Sequence, residues 1–582
     1  MIKRNKASQE CVVPDIDRAS TIKFGTSGWR ELMQPGAYSE GNVGRVAKAV
    51  AEELLARVKA GVYSPNNKQK VNVLVAFDAR EHADVFARVV VEVLSAYEDI
   101  DVTLGDAIAT TPSVVSQTRQ ALGEKAYDLA LHVTASHNDT RYCGLKVVQE
   151  GVVAPDEFTA AIAARANDAA VNSTYPRLTL KDSDIKKAAI VKDMEERYRV
   201  IFRASMPQMI ELIKACRVRD AAFSFTVDCM YGSTAPFTVI LEEIGAQVIR
   251  KEPMRTRPFK QGNVFNEKGE MKGYRPEPNK VFLDEGAFSR FEKTAANGSL
   301  YIALDGDGDR MALWVKHEGA VVEFIPNKLG VLYAWFAEKY EYAPGAKFIV
   351  RTLPTTAALD AVAQWARKKL FVTPVGSKYF ASFMKDGSKT KASVCTEESG
   401  HQGLNMRGEM IFDDATSQAV HVIEMMALSG KGLVELLDHA EKDIGFKGVY
   451  MRVNKDLKGG LKSEIERFVG EDMMKPLNVQ TFMDVLTDKY GEKVVKVSAT
   501  TATGKVMPLT SLIDQKLSIK VNEGVHVQFK DLSWAQVRLS GTEPVARVYT
   551  EVSQHSAETD ADAKARRARL ESAFTSSIGI IE

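Results

Sequence analysis

Cysteine is scarce, with five in 582 residues: Cys11, Cys143, Cys216, Cys229 and Cys395, none of them in a CxxC pair. That spacing excludes a zinc ribbon and a disulfide framework, and it fits a reducing compartment, so a cytoplasmic location is expected. An excess of one charge is also missing. Lys+Arg number 77 against 76 Asp+Glu, which leaves no electrostatic footprint for nucleic acid or an anionic membrane. No stretch approaches the roughly 18 to 20 consecutive apolar residues of a membrane span. The basic start Met1-Ile2-Lys3-Arg4-Asn5-Lys6 runs into Ala7-Ser8-Gln9-Glu10 rather than an apolar segment, so neither secretion nor membrane insertion is expected. Low-complexity runs and short-period repeats are absent too.

What is present is ample material for several cores. At 582 residues, 45% of them hydrophobic, the chain exceeds the size at which one core stops growing, and three or four domains are expected. Val43, Val46, Ala47, Val50, Leu54, Leu55 and Val58 recur at helical spacing over 42–60. The Pro65-Asn66-Asn67 break follows, then the strand-like run Val71 to Phe77 and a helix over 85–97. Short buried strands between helical stretches recur at 129–133, 225–227, 300–304, 347–350, 370–372 and 393–395. Such βα alternation predicts an α/β protein with mostly parallel sheets. After about residue 440 the pattern changes: 455–520 reads as charged and irregular, and 534–539 and 545–549 read as paired strands of a closing α+β domain. Boundaries are placed near 190, 320 and 440.

Asp305-Gly306-Asp307-Gly308-Asp309-Arg310 directly follows the apolar run 300–304, at the C-terminal end of a strand where α/β sheets bind ligands. Alternating glycines let three carboxylates converge. An all-oxygen ligand set suits Mg²⁺ and disfavours zinc. A calcium EF-hand is excluded, because it needs Gly where Arg310 stands and Glu where Lys316 stands. The competing reading is a solvated acidic turn.

The strand at 129–133 ends in Thr134-Ala135-Ser136-His137-Asn138, with Gly144-Leu145-Lys146 just downstream. A hydroxyl beside a cation suits phosphoryl transfer, whereas the absence of a Gly-x-Ser-x-Gly elbow argues against acyl transfer. Taken alone, Ser136 could as well be an ordinary polar turn. Phe24 to Arg30 is glycine-rich but lacks the Gly-Lys-Ser/Thr ending of a nucleotide P-loop. Arg538-Leu539-Ser540-Gly541-Thr542-Glu543-Pro544 offers a guanidinium and two hydroxyls in one hairpin loop, enough to cradle a phosphate, unless it is only a turn with surface arginines. Thr373 to Lys378 and Glu397-Glu398-Ser399-Gly400-His401 place further polar groups after strands, suited to sugar hydroxyls or simply to solvent.

In chain order, FGTSGWR at 24–30, TASHN at 134–138, GLK at 144–146, DGDGDR at 305–310, TPVGSK at 373–378, EESGH at 397–401 and RLSGTEP at 538–544 resemble the α-D-phosphohexomutase family. The resemblance runs from residue 24 to about 550. It implies three related α/β domains and a C-terminal α+β domain around a central cleft. These would be a phosphoserine-bearing domain at 1–190, a metal-binding domain at 191–320, a sugar-recognition domain at 321–440 and a phosphate-binding domain at 441–582.

The resemblance also implies interconversion of hexose 1-phosphate and 6-phosphate, glucose first and mannose second, through a phosphoserine at Ser136 and a bisphosphate intermediate. A hexose bisphosphate would act as activator. Asp305, Asp307 and Asp309, with Ser136, would hold one Mg²⁺. Arg30, His137 and Lys146 would surround the transferring group, Glu397 and Ser399 would grip sugar hydroxyls, and Arg310, Lys378 and His401 would line the cleft. Arg538, Ser540, Gly541 and Thr542 would bind the other phosphate. The expected partners are therefore small sugar phosphates. Alternatives are phosphoglucosamine mutase, a noncatalytic sugar-phosphate-binding phosphoprotein, and a phosphatase in which water intercepts the phosphoserine. Three positions depart from the family's pattern: Glu31, Asp139 and Leu539. Asp139 adds charge near Ser136, which bears on rate rather than reaction class.

Overall fold

The computed structural model describes residues 8–25, 28–65, 70–118, 127–256, 274–283, 286–384, 391–457, 460–540, 545–555 and 557–578. These fall into two compact units, one within Met1–Ile325 and Ile411–Val434, the other within Pro326–Lys385, Lys389–Met410 and Glu435–Glu582. Among the described residues no helix is long and apolar enough to cross a membrane.

One strand order occurs three times. In the first sheet, Val71–Phe77 lies between Ile100–Gly105 and Leu129–Val133, parallel to both, and Tyr142–Gln149 then pairs antiparallel with Leu129–Val133. In the second, Phe225–Asp228 lies between Gln247–Ile249 and Leu300–Leu304, followed by antiparallel Met311–His317. In the third, Ala346–Thr352 lies between Lys369–Thr373 and Lys391–Thr396, followed by antiparallel Gln402–Met406.

In each repeat a tight loop joins the third strand to the fourth. Those loops are 134–141, 305–310 and 397–401, so three of the sequence motifs occupy one topological position. The cause is local. A third strand such as Leu129–Val133 or Leu300–Leu304 is buried at every residue, which commits it to the middle of a sheet, and polar residues must begin where it leaves the core.

Helix Glu40–Lys59 starts at Ser39, whose side chain accepts from Asn42 N, and buries Val43, Val46, Val50 and Leu54 against the first sheet's core. The C-terminal sheet is antiparallel throughout, in the order Gly448–Asp456, Val545–Ser553, Trp534–Leu539, Val525–Phe529, Val494–Thr500, Val506–Pro508. The expected pairing of 534–539 with 545–549 is present.

The segment 455–520 departs from the irregular reading. It contains helices Leu461–Arg467 and Pro476–Tyr490 and strand Val494–Thr500. Val479, Phe482, Leu486 and Tyr490 recur at helical spacing and enter the C-terminal core. Leu539 is likewise buried in that core.

Candidate active site

Ser136 is in the first repeat's loop, two residues after Thr134, and it is 1% exposed. Its φ is +54°, a left-handed conformation that costs an L-residue about 1 to 2 kcal/mol unless neighbours hold it. Thr134 Oγ1 accepts from Ser136 N at 2.9 Å. Ser136 Oγ lies 3.3 Å from His137 Nδ1, 3.4 Å from Asp305 Oδ2 and 3.4 Å from Arg310 Nη2. Arg310 also contacts His137 Nδ1, and its Nε lies 3.5 Å from Asp305 Oδ2. The guanidinium of Arg310, a residue expected to line the cleft, stands against the Ser136 side chain. Burial, then the nearby Arg310 and Arg30 guanidinium groups, hold the His137 imidazole neutral, well below its ordinary range.

Asp305, Asp307 and Asp309 are buried, and one oxygen from each lies within 4.8 Å of the others. The loop is built for this convergence. Gly306 leaves no room for a Cβ, which would stand 2.5 Å from Ser136 O. Gly308 has φ +73°, and a Cβ there would meet Thr234 and Thr110 methyl groups at 2.6 and 2.9 Å.

Lys146 Nζ donates to Asp307 Oδ2 at 2.6 Å, to Asp309 Oδ2 at 2.7 Å and to Thr111 Oγ1 at 3.0 Å. Burial alone would lower the Lys146 pKa, but the attraction of Asp307 and Asp309 outweighs it and raises the value, so the ammonium persists. Burial and Asp309 press Asp307 upward, yet Lys146 and the Thr111 hydroxyl prevail and hold that carboxyl at about 2. For Asp305, burial with Asp309 and Asp307 beside it outweighs the attraction of Arg310 and pushes the carboxyl well above the usual range.

The donor set fits a hard divalent cation. It consists wholly of carboxylate oxygens, and Asp307 Oδ1 is buried without a hydrogen-bond partner among the described residues.

Arg30 is on strand Gly28–Leu32, opposite Gly144, and the fields of Asp307 and Asp309 reach it. Sequence reasoning missed Thr111 and Thr134. Both are ordinary threonines whose role appears only when Thr111 Oγ1 donates to Asp307 Oδ2 at 2.6 Å and Thr134 Oγ1 lies 3.4 Å from the same atom. Asp139, the departure beside Ser136, pairs with Arg141 at 2.8 Å, so its charge is answered locally.

In the other unit, Glu397 Oε1 accepts from Ser399 Oγ at 2.6 Å and Oε2 accepts from Gly376 N at 2.9 Å, which joins the EESGH loop to the TPVGSK loop. His401 O accepts from Glu397 N at 3.0 Å and closes the loop. Burial raises the Glu397 pKa. The Lys378 ammonium lies 5.5 Å from the Tyr379 ring centre. Arg538 is buried at the end of strand Trp534–Leu539 with Nη2 3.6 Å from Glu523 Oε1, and Ser540 N donates to Val545 O at 2.9 Å. Gly541 and Thr542 lie outside the described residues.

Three parts of the chain match one family. Residues 21–172 match phosphoglucomutase/phosphomannomutase alpha/beta/alpha domain I, residues 326–443 match domain III, and residues 488–568 match the C-terminal domain. The chain belongs to the phosphoglucomutase/phosphomannomutase family. It is an enzyme of the phosphotransferase (mutase) type.

Human phosphoglucomutase-1 is 24% identical over 544 residues, covering 89% of this chain and 88% of that protein. A phosphoglucosamine mutase of Myxococcus xanthus is 28% identical over 432 residues, covering 73% and 81%. Among solved structures, the Paramecium phosphoprotein pp63/parafusin, a phosphoglucomutase in an open form, superposes with a TM-score of 0.71 at 20% identity, covering 99% of this chain and 97% of that one. It shares the fold.

Proposed function

We propose that this chain interconverts hexose 1-phosphates and 6-phosphates through a phosphoryl group carried on Ser136, with glucose phosphates as first substrate and mannose phosphates second. The observation that carries the reading is Ser136 Oγ held 3.4 Å from Asp305 Oδ2, at the edge of three converging buried carboxylates. Asp305, Asp307 and Asp309, with Ser136, would hold Mg²⁺, which when bound supplies positive charge to the transferring phosphoryl group.

In the forward step the Ser136 Oγ–P bond breaks, a bond from a sugar hydroxyl oxygen to phosphorus forms, and the hydroxyl gives up its proton. Lys146 is held protonated by two carboxylates, so it neutralises charge rather than accepting that proton. His137 is neutral and 3.3 Å from Ser136 Oγ, so its imidazole is assigned to the leaving serine oxygen, which takes up a proton as the sugar hydroxyl loses one. Arg30 and Arg310 add charge around the equatorial oxygens. Glu397 and Ser399 are assigned to sugar hydroxyls, Lys378 and His401 to the sugar's surroundings, and Arg538, Ser540, Gly541 and Thr542 to the phosphate that does not transfer. A hexose bisphosphate would charge Ser136. The domain limits 1–190, 191–320, 321–440 and 441–582 are proposed on the same reading.

The test is ³¹P NMR of the purified protein with Mg²⁺ and a trace of glucose 1,6-bisphosphate, offered glucose, mannose and glucosamine 1-phosphates in parallel. Appearance of a 6-phosphate, lost in Ser136→Ala with the fold intact, supports the mutase. Preferential conversion of the glucosamine phosphate would shift the reading toward the sugar named for the Myxococcus relative. Inorganic phosphate released in step with sugar-phosphate loss would replace the mutase with a phosphatase. No turnover of any sugar by protein phosphorylated on Ser136 would sink the assignment and favour a binding protein.

A further inference from the structure

Arg80 lies three residues past the central strand Val71–Phe77 and is fully buried together with Asp78. A guanidinium has five N–H donors in a rigid planar fork, and all five are accounted for here. Nη2 donates to Ser136 O and Asn138 O, both at 2.6 Å, and Nη1 donates to Asp139 O at 2.7 Å and Tyr142 O at 3.1 Å. Nε donates to Asp78 Oδ2 at 3.1 Å. Three carbonyls of the loop and that of Tyr142, the first residue of the strand after it, are thus turned inward onto a single cation, and the carboxylate of Asp78 holds that cation.

We propose that Arg80 is the positioning residue of the nucleophile loop: by collecting the 136–142 carbonyls it holds Ser136 in its left-handed conformation and keeps Oγ facing the aspartates. The inference rests on the mutase reading of Ser136. Left to itself, a serine at φ +54° relaxes to negative φ, which swings its carbonyl and side chain together. Arg80 opposes that rotation at the carbonyl. Because Ser136 O also abuts Gly306, moving it would disturb the metal loop directly.

A second tie runs through the adjoining residue. Ala79 N donates to Ser233 Oγ at 2.9 Å, and Ser233 N donates to Gly306 O at 2.9 Å. Residues 79 and 80 therefore hold the serine loop with one hand and the aspartate loop with the other. Arg80 touches no reacting atom. Lysine would keep the charge but not the fork, so it could not collect four carbonyls.

The experiment uses the full chain with Arg80→Lys, and with Asp78→Asn as a second variant that leaves the guanidinium in place but loosens its anchor. Three quantities are read: amide hydrogen exchange of the 134–145 segment in protein alone, the single-turnover rate of Ser136 phosphorylation by glucose 1,6-bisphosphate followed by mass spectrometry, and kcat separately from KM.

The expected result is exchange at least tenfold faster in 134–145 with the C-terminal helix 560–577 unchanged, phosphorylation and kcat down by about 100-fold, and KM within about threefold. Unchanged loop exchange in folded Arg80→Lys, or kcat within threefold of the parent, overturns the proposal. If Arg80→Lys does not fold, the same two criteria apply to Asp78→Asn. Failure of the unmodified protein to become phosphorylated at Ser136 would overturn the mutase reading instead, and loop exchange would still decide whether Arg80 clamps the loop.

Discussion

Lys146 Nζ stands 2.6 Å from Asp307 Oδ2 although 161 residues separate the two in the chain. This buried contact joins the serine-bearing repeat to the metal loop. It also means that the ammonium shares its carboxylates with any cation bound there.

Lys146→Met should therefore destabilise the metal-free protein by about 3 to 5 kcal/mol, the usual cost of removing one partner from a buried ion pair. Saturating Mg²⁺ should recover a larger share of stability in the variant than in the parent. Urea unfolding with and without Mg²⁺ decides the point, and an equal deficit under both conditions would refute the shared-carboxylate view.

Gly306→Ala places a Cβ 2.5 Å from Ser136 O and 2.8 Å from Pro276 Cγ. Backbone must shift, so turnover should fall on the order of 10²-fold. Gly319→Ala is the control: its Cβ meets open space, and only the φ of +80° is unfavourable. A stability loss of about 1 kcal/mol with unchanged turnover is expected there. Comparable turnover in both variants would show that the approach of Gly306 to Ser136 is unimportant.

Divalent binding should release protons. Burial, with Asp309 and Asp307 beside it, raises the Asp305 pKa well above the ordinary carboxylate range, and a ligating carboxylate must be ionised. Titration calorimetry with Mg²⁺ at pH 7 in two buffers of different ionisation enthalpy should give different observed heats. Identical heats would mean that Asp305 is already ionised.

Asp414 caps helix Ala415–Ser429, accepting from Ser417 N at 3.0 Å and from the Tyr198 hydroxyl at 3.0 Å, and Ala415 N donates to the metal loop at Gly308 O. Burial raises its pKa to about 6, although Ser417 N and Tyr198 act in the opposite direction. The folded state therefore prefers the protonated acid. Its stabilising contribution is complete below the unfolded value near 3.8 and is lost as pH rises through about 6. Asp414→Asn keeps a good cap without ionising. Its stability relative to the parent should climb by up to about 3 kcal/mol from pH 4 to pH 7, measured by urea unfolding at each pH. A flat difference would place the Asp414 pKa at its ordinary value.

Much of the site is legible along the chain because its motifs are contiguous and sit where buried strands end. The run at 300–304 announces Asp305, Asp307 and Asp309, and the run at 129–133 announces Ser136 and His137. Their residue types and spacing predict an oxygen-ligated metal beside a hydroxyl. The helical spacing at 479–490 is equally local, and the irregular reading of 455–520 passed over it.

Other features depend on contacts that no local pattern encodes. The identity of the three third-to-fourth strand loops needs strand order, which pairing across tens of residues decides. Thr111 and Arg80 carry no motif, and Thr134 sits in one without a role the pattern reveals; folding makes them functional by bringing them to Asp307 and to the Ser136 loop across up to 196 residues. The sequence by itself determined which groups could do phosphoryl chemistry, since that follows from local periodicity and residue type. Only tertiary structure decided which of them are charged and which serine rotamer and backbone conformation prevail, because burial and through-space ion pairing set those properties.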